Sequence, residues 1–219
     1  MNCKNLVLLL CCMAMLLCIT VSVFAQQFAF DFGTSTSPLW AGHTRVTETT
    51  VYSAVSGYGW IPFQNGVPNL NLTYVPGLFS RDRGTSVPVN DNLFRDICAS
   101  ERSYNAQLEQ EFVVNLANGQ YLVYITTGDI QYGKSLEKPI TIDVEGVRKV
   151  NSIQYDYDLC ARVQFTTQVS DGQLNLHFGN SAAEDYNKTW TISGLLIFPY
   201  NNEAEIAAAQ STITALAND

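Results

Sequence analysis

Apolar and polar residues alternate over short stretches of this chain, a two-residue period that is typical of β-strands. Three phenylalanines in residues 28–32 alternate with smaller or polar residues, and residues 140–144 and 174–178 follow the same pattern. Residues 112–116 and 121–125 are rich in β-forming residues, and the Asn-Gly turn between them predicts a hairpin.

Turn residues separate these stretches at regular intervals, and no helical period lies among them. About eight to ten short strands joined by turns are typical of a two-sheet sandwich or jelly roll, not of an α/β protein. The pattern therefore predicts an all-β fold, a β-sandwich jelly roll, over residues 26–200.

Two parts of the chain depart from this pattern. Residues 61–110 are rich in Pro and Gly and predict long surface loops, which often carry function. Residues 201–219 predict a short C-terminal helix or tail, because Asn202 and Glu205 resemble a capping box and apolar residues recur on one helical face. Those apolar residues are Ile206, Ala209, Ile213 and Leu216. Packing on the sandwich, self-association and the start of a linker all remain open for this tail.

The N-terminus resembles a targeting segment rather than a part of the fold. Lys4 precedes a nearly unbroken apolar run over residues 6–23, and Val23 and Ala25 suit the −3 and −1 positions of a cleavage site. The run is almost long enough to span a bilayer, so a retained anchor is the alternative. We expect residues 1–25 to be a cleaved signal peptide and the mature protein to be secreted, extracellular and free of the membrane.

The net charge of the chain disfavours some classes of binding partner. Its formal net charge is −8 at pH 7. An acidic surface repels phosphate backbones and anionic headgroups, which argues against nucleic acid and membrane surfaces as partners.

If the protein is secreted, its cysteines can form a disulfide and its sequons can be glycosylated. Cys98 and Cys160 remain once the N-terminal segment is removed, and an even number in an oxidising compartment predicts a disulfide. Two buried thiols are the alternative. Asn71 and Asn187 each stand in an N-glycosylation sequon.

Patterns that indicate catalysis are missing from the sequence. The chain has two histidines, His43 and His177, and no nucleophile elbow, zinc-type His/Cys spacing or phosphate-binding glycine loop. Carboxylates in turns leave a glycoside hydrolase, lyase or esterase as a remote alternative. The sequence predicts a protein that is not an enzyme.

Aromatic residues in or beside the predicted loops point to a different activity. These residues are Trp40, Tyr58, Trp60, Tyr74, Tyr104 and Tyr132. Flat rings cover the apolar C–H faces of sugars, while amides, carboxylates and arginines bind the hydroxyl groups. The alternative for each ring is that it closes an end of the core.

An ordered series of short strings carries a family resemblance. The series runs through Phe30-Asp31-Phe32-Gly33, Gly57-Tyr58-Gly59-Trp60, Arg81-Asp82, Arg95-Asp96, Gly128-Asp129, Asp171-Gly172 and Trp190-x-Ile192. Together they resemble the galactose-binding-like domain at the N-terminus of β-agarases and of rhamnogalacturonan acetylesterase-type enzymes. The resemblance covers residues 28 to about 198.

The resemblance implies a jelly-roll module that binds galactose-type or plant and algal polysaccharide. In those enzymes a catalytic domain follows, whereas this chain ends soon after Tyr200. We therefore expect a non-catalytic, lectin-like module, with an extracellular structural or assembly protein as the alternative. Related folds often hold a structural calcium ion through loop carboxylates and carbonyls, so calcium is a further expectation.

The predicted binding site lies where strand ends and long loops converge. Tyr58 and Trp60 are the predicted stacking rings. The predicted hydroxyl partners are Arg81, Asp82, Arg95, Asp96 and Asp129. The alternative is that the Arg-Asp pairs pin the loops by salt bridges and that Trp60 is buried.

Overall fold

The fold of the chain is taken from a computed structural model. It describes residues 28–64, 67–84, 92–101, 109–129, 140–153, 160–180, 189–200 and 211. Over this part of the chain the structure contains fifteen strands, which confirms the predicted all-β sandwich. The predicted signal peptide, Asn187 and nearly all of the predicted tail lie outside the described residues.

The first of two large sheets has five strands, of which the last two in the order below are parallel and all other neighbours are antiparallel. In spatial order they are β12 (Ala161–Val169), β9 (Gly119–Thr127), β15 (Gly194–Pro199), β1 (Phe28–Phe32) and β2 (Thr44–Val46).

The second large sheet also has five strands, and all of its pairs are antiparallel. In spatial order they are β11 (Val147–Ile153), β10 (Ile140–Val144), β13 (Gln173–Asn180), β8 (Gln110–Asn115) and β3 (Tyr58–Ile61).

Two smaller sheets complete the described strands. One contains β14 (Thr189–Ile192), β7 (Asp96–Glu101) and β6 (Leu78–Asp82), and the other contains β4 (Phe63–Gln64) and β5 (Val67–Pro68).

The main core lies between the two large sheets. The first sheet contributes Phe30 and Phe32, the second contributes Phe112 and Phe178, and Trp190 of the three-stranded sheet joins them. These five aromatic side chains are at most 1% exposed. The alternation in residues 28–32 is thus that of a strand with one face on this core.

The predicted hairpin over residues 112–125 is wrong. Its two strands, β8 and β9, belong to different sheets, and β9 pairs along its whole length with β12. The segment between them crosses the sandwich, as does the segment between β12 and β13. The two crossings are tied together, because Leu116 N donates to Gly172 O at 2.9 Å and Asn118 Nδ2 donates to Ser170 O at 2.8 Å. A turn pattern in the sequence does not distinguish a hairpin from a connection that crosses between the two sheets.

The predicted disulfide is also wrong, since Cys98 and Cys160 both carry thiols. Cys98 is buried in the core, where its Sγ lies 3.7 Å from Val46 O on β2. Cys160 directly precedes β12, at the opposite edge of the first sheet.

The described residues contain no helix long and apolar enough to span a membrane. Asn71 is exposed in the turn that follows β5, so its sequon is accessible, and its glycosylation stays a prediction.

Candidate functional site

Three of the predicted Arg-Asp residues, Asp82, Arg95 and Asp129, lie where β6 ends, β7 begins and the chain leaves β9. Arg95 donates from Nε and Nη2 to the two carboxylate oxygens of Asp82, at 2.9 and 2.8 Å. Arg83 donates to Asp129 in the same two-pronged way, with Nε 3.0 Å from Oδ1. Arg81 lies over the ring of Phe79, its guanidinium carbon 4.6 Å from the ring centroid.

These contacts favour the structural interpretation of the cluster. Each pair is only partly exposed, with side-chain exposures of 12% and 4% for Arg83 and Asp129 and of 13% and 27% for Arg95 and Asp82. Two-pronged pairs occupy both oxygens of each carboxylate, so the carboxylates are already hydrogen-bonded without a ligand. Arg83 was not among the predicted residues, although its position directly after the predicted pair Arg81-Asp82 was a usable signal.

Asp96 lies inside the protein rather than on a binding surface. Its side chain is fully buried, and Oδ2 accepts a hydrogen bond from Ser37 Oγ. Burial, and secondly the nearby charge of Asp31, raises the pKa of Asp96 to about 8. A side chain at Gly33 would place its Cβ 1.8 Å from Asp96 Oδ2, so only glycine fits beside this carboxyl group.

The guanidinium group of Arg45 holds the loop between β1 and β2 in place beside Asp96. Arg45 donates to Thr34 O at 2.5 Å and to Ser37 O at 2.6 Å, and the backbone N–H of Trp40 donates to Asp31 Oδ2 at 2.7 Å. Hydrogen bonds therefore fix the loop between β1 and β2 at its start and at its middle.

This arrangement does not fit the expected calcium ion. Calcium takes six to eight oxygen ligands, several of them carboxylates. The carbonyl oxygens of Thr34 and Ser37, in the loop beside Asp96, accept hydrogen bonds from Arg45. Among the described residues, no group of three or more His, Cys, Asp or Glu side chains is placed to hold a metal ion.

Trp60 is not a stacking residue. Its side chain is 0% exposed, and its ring contacts those of Phe112, Phe32 and Trp190 at centroid distances of 5.0, 5.7 and 5.8 Å. The cause is strand pairing, since β3 pairs with β8 and aligns Trp60 with Phe112. Gly59 permits this placement, because a Cβ there would lie 2.5 Å from Tyr52 N.

Tyr58 lies in a different place, at the wall of an open cleft of about 520 Å³. The cleft is lined by Phe28, Ala29, Phe30, Gly42, Thr44, Ser56 and Tyr58. Three chain segments build it: the start of β1, the start of β2 with its preceding turn, and the turn into β3. Among the described residues, no hydrogen bond or ring contact joins this cleft to the Arg-Asp cluster.

Three aromatic residues are among those that line the cleft. The rings of Phe28 and Phe30 are stacked at 6.1 Å, and the ring of Tyr58 lies 4.9 Å from that of Phe30. Phe30 is buried, whereas Phe28 and Tyr58 are half-buried. Each of these two residues is therefore partly accessible at the cleft and also packs against the main core.

Polar groups form the rim. Thr44 and Ser56 are exposed, and Ser56 Oγ is oriented by the carbonyl oxygen of Tyr58 at 2.9 Å. Of the described residues that line the cleft, none carries a charge. A lining of uncharged polar groups with some aromatic surface suits a neutral ligand that has both C–H faces and hydroxyl groups.

Comparison with known proteins supports the predicted resemblance. No protein-family model matches the chain. Its sequence is 32% identical over 187 residues to Beta-agarase A from Zobellia galactanivorans, a match that covers 85% of this chain. The chain spans 29% of the length of that agarase.

Two solved structures share the fold. The protein YxiM from Bacillus subtilis superposes with a TM-score of 0.55 at 23% identity, over 80% of this chain and 40% of that one. A beta-glucuronidase from Bacteroides uniformis also gives a TM-score of 0.55, at 13% identity, over 80% of this chain and 18% of that one.

The chain is thus a β-sandwich that shares its fold with these two structures. In sequence it is similar to part of a beta-agarase, which confirms the resemblance predicted from the ordered strings.

Proposed function

We propose that this protein is a secreted, non-catalytic carbohydrate-binding domain that holds a galactose-type polysaccharide in the cleft of Phe28 and Tyr58. The observation that carries the proposal is the lining of that cleft, which combines two partly exposed aromatic residues with exposed, uncharged hydroxyl residues. Because the sequence relative is a beta-agarase, oligosaccharides of agarose are the first ligands to test.

The chemistry of the cleft matches that of a neutral sugar. A pyranose ring has an apolar face that packs on an aromatic ring, and its hydroxyl groups exchange hydrogen bonds with Thr44 and Ser56 at the rim. A charged ligand would find no counter-charge among the described lining residues. The geometry therefore favours an uncharged galactan over an acidic pectin.

The same lining supports a binding role rather than a hydrolytic one. Glycoside hydrolysis generally needs two carboxyl groups on either side of the scissile bond. The described lining of the cleft includes no carboxyl group, and Asp82 and Asp129 are bound to arginines elsewhere. Secretion through residues 1–25 remains part of the proposal.

Filling the cleft tests the proposal with little change to the core. Thr44 is exposed on the edge strand β2, so Thr44→Trp should fold normally and place an indole where the sugar would lie. We expect its affinity for agarose oligosaccharides, measured by calorimetry, to fall at least tenfold, about 1.4 kcal/mol or more.

Val147→Trp is the matched control. Val147 is exposed on β11, the edge strand of the other large sheet, and this variant should bind like the wild type. Equal affinity of the wild type and Thr44→Trp would place the site elsewhere. Failure of the wild type to bind any neutral galactan, or release of sugar that stops on mutating one carboxylate, would contradict the proposal itself.

A further inference from the structure

A second apolar cluster lies on the outer face of the first sheet, away from the main core. Its members are Leu122 and Tyr124 of β9 and Leu196 and Phe198 of β15, which are 2–7% exposed. The neighbouring residues on these strands point into the main core. Both strands are therefore apolar on both faces, as strands are when each face of a sheet is covered.

The described cover of this outer face is small. Ala29 and Trp40 are the partly buried apolar residues that pack against it. Ala29 is paired with Leu196, whereas Phe198 is paired with Leu122 nearer the end of β15. The chain leaves β15 at that same end, where Tyr200 N donates to Gln120 O at 2.8 Å.

We propose that residues 201–219 form an amphipathic helix that packs along β15 and covers this outer face. The tail begins beside Phe198, so it needs no long connection to reach the cluster. Its apolar residues, at 206, 209, 213 and 216, fall on one helical face. Eleven helical residues extend about 16 Å and the six residues of β15 about 20 Å, so the lengths match.

Ser211 supports this placement. It lies within the tail, its backbone is α-helical and its side chain is exposed. On a helical projection Ser211 lies on the side opposite the apolar stripe, where an exposed residue is expected if the stripe faces the sheet. This inference does not rest on the proposed glycan site, which lies toward the β2 edge of the same sheet and shares Ala29 with this cluster.

Charge substitutions in the tail test the proposal in the mature chain, residues 26–219. Ile213→Glu places a carboxylate on the apolar stripe, and Ser211→Glu places one on the opposite side. We expect Ile213→Glu to lower the unfolding midpoint by about 4–8 °C and to increase binding of a hydrophobic dye, with Ser211→Glu close to the wild type. Ile213→Ala, a milder change, should lower the midpoint by a smaller amount.

Sedimentation measurements on the same proteins distinguish packing of the tail on its own sandwich from self-association through the tail. If the tail packs on its own sandwich, the wild type is monomeric at every concentration tested. A wild-type dimer that Ile213→Glu turns into a monomer of unchanged midpoint would overturn the proposal in favour of self-association. Equal midpoints and dye binding for all four proteins would overturn it in favour of a linker.

Discussion

Replacing Asp96 with Asn is expected to stabilise the protein by about 5 kcal/mol at pH 8.5 and by much less at pH 5. The carboxyl group is fully buried, and its pKa is raised from 3.8 in the unfolded chain to about 8 in the folded one. Burial is the main cause, followed by the charge of Asp31. Asp82 acts in the same direction, while Ser37 and Arg45 oppose it.

The direction of the pH effect follows from proton binding. Between about pH 4 and pH 8 the folded protein keeps the proton that the unfolded chain has lost, so the stability of the wild type falls as the pH rises. Asparagine is neutral throughout and retains a polar group beside Ser37 Oγ. The difference between the variant and the wild type should therefore grow across this window and level off above it.

Denaturant unfolding at pH 5 and pH 8.5 measures the effect. Asp171→Asn is the control, because Asp171 is exposed in the turn before β13 and should change stability little at either pH. A difference between Asp96→Asn and the wild type that is the same at both pH values would show that Asp96 ionises normally in the folded state.

Trp60→Ala is expected to lower the free energy of unfolding by about 3–5 kcal/mol, the range for deleting a large buried aromatic side chain. The ring is in contact with several other aromatic rings and is fully buried. Trp60→Phe should cost only about 1–2 kcal/mol, because no described residue is hydrogen-bonded to the indole nitrogen.

Tyr74→Ala is the control for this series, since Tyr74 is 56% exposed and contributes little to the core. Denaturant unfolding of the variants gives the stabilities, and calorimetry with agarose oligosaccharides gives the affinities. We expect folded Trp60→Phe to bind as the wild type does. A large loss of affinity without a loss of stability would restore Trp60 to the binding site.

The strands were predictable because their signal is local. Residues 28–32 and 140–144 alternate with the period of a strand, and both are strands in the structure. The pairing of strands was not predictable in the same way. The turn after residue 116 looks like a hairpin turn, but β9 pairs with β12 and β15 instead, and no local pattern encodes those partners.

The side chains of the site were harder to place, because burial depends on tertiary contacts. Trp60 was expected in a loop, yet the pairing of β3 with β8 turns it into the core. The Arg-Asp pairs could be foreseen as salt bridges, but their partners could not, since Arg83 binds Asp129 forty-six positions away. The cleft joins three separate segments, and only Tyr58 was predicted from it.

Amide chemical shifts during a titration with an agarose oligosaccharide test the central claim most directly. If the sugar lies in the cleft, the largest shifts should occur at residues 28–30, 42–44 and 56–58, all with one dissociation constant. The amide chemical shifts of residues 81–83, 95–96 and 129 should not change. Shifts concentrated in the Arg-Asp cluster, or no shifts at saturating oligosaccharide, would contradict the assignment of the cleft as the carbohydrate site.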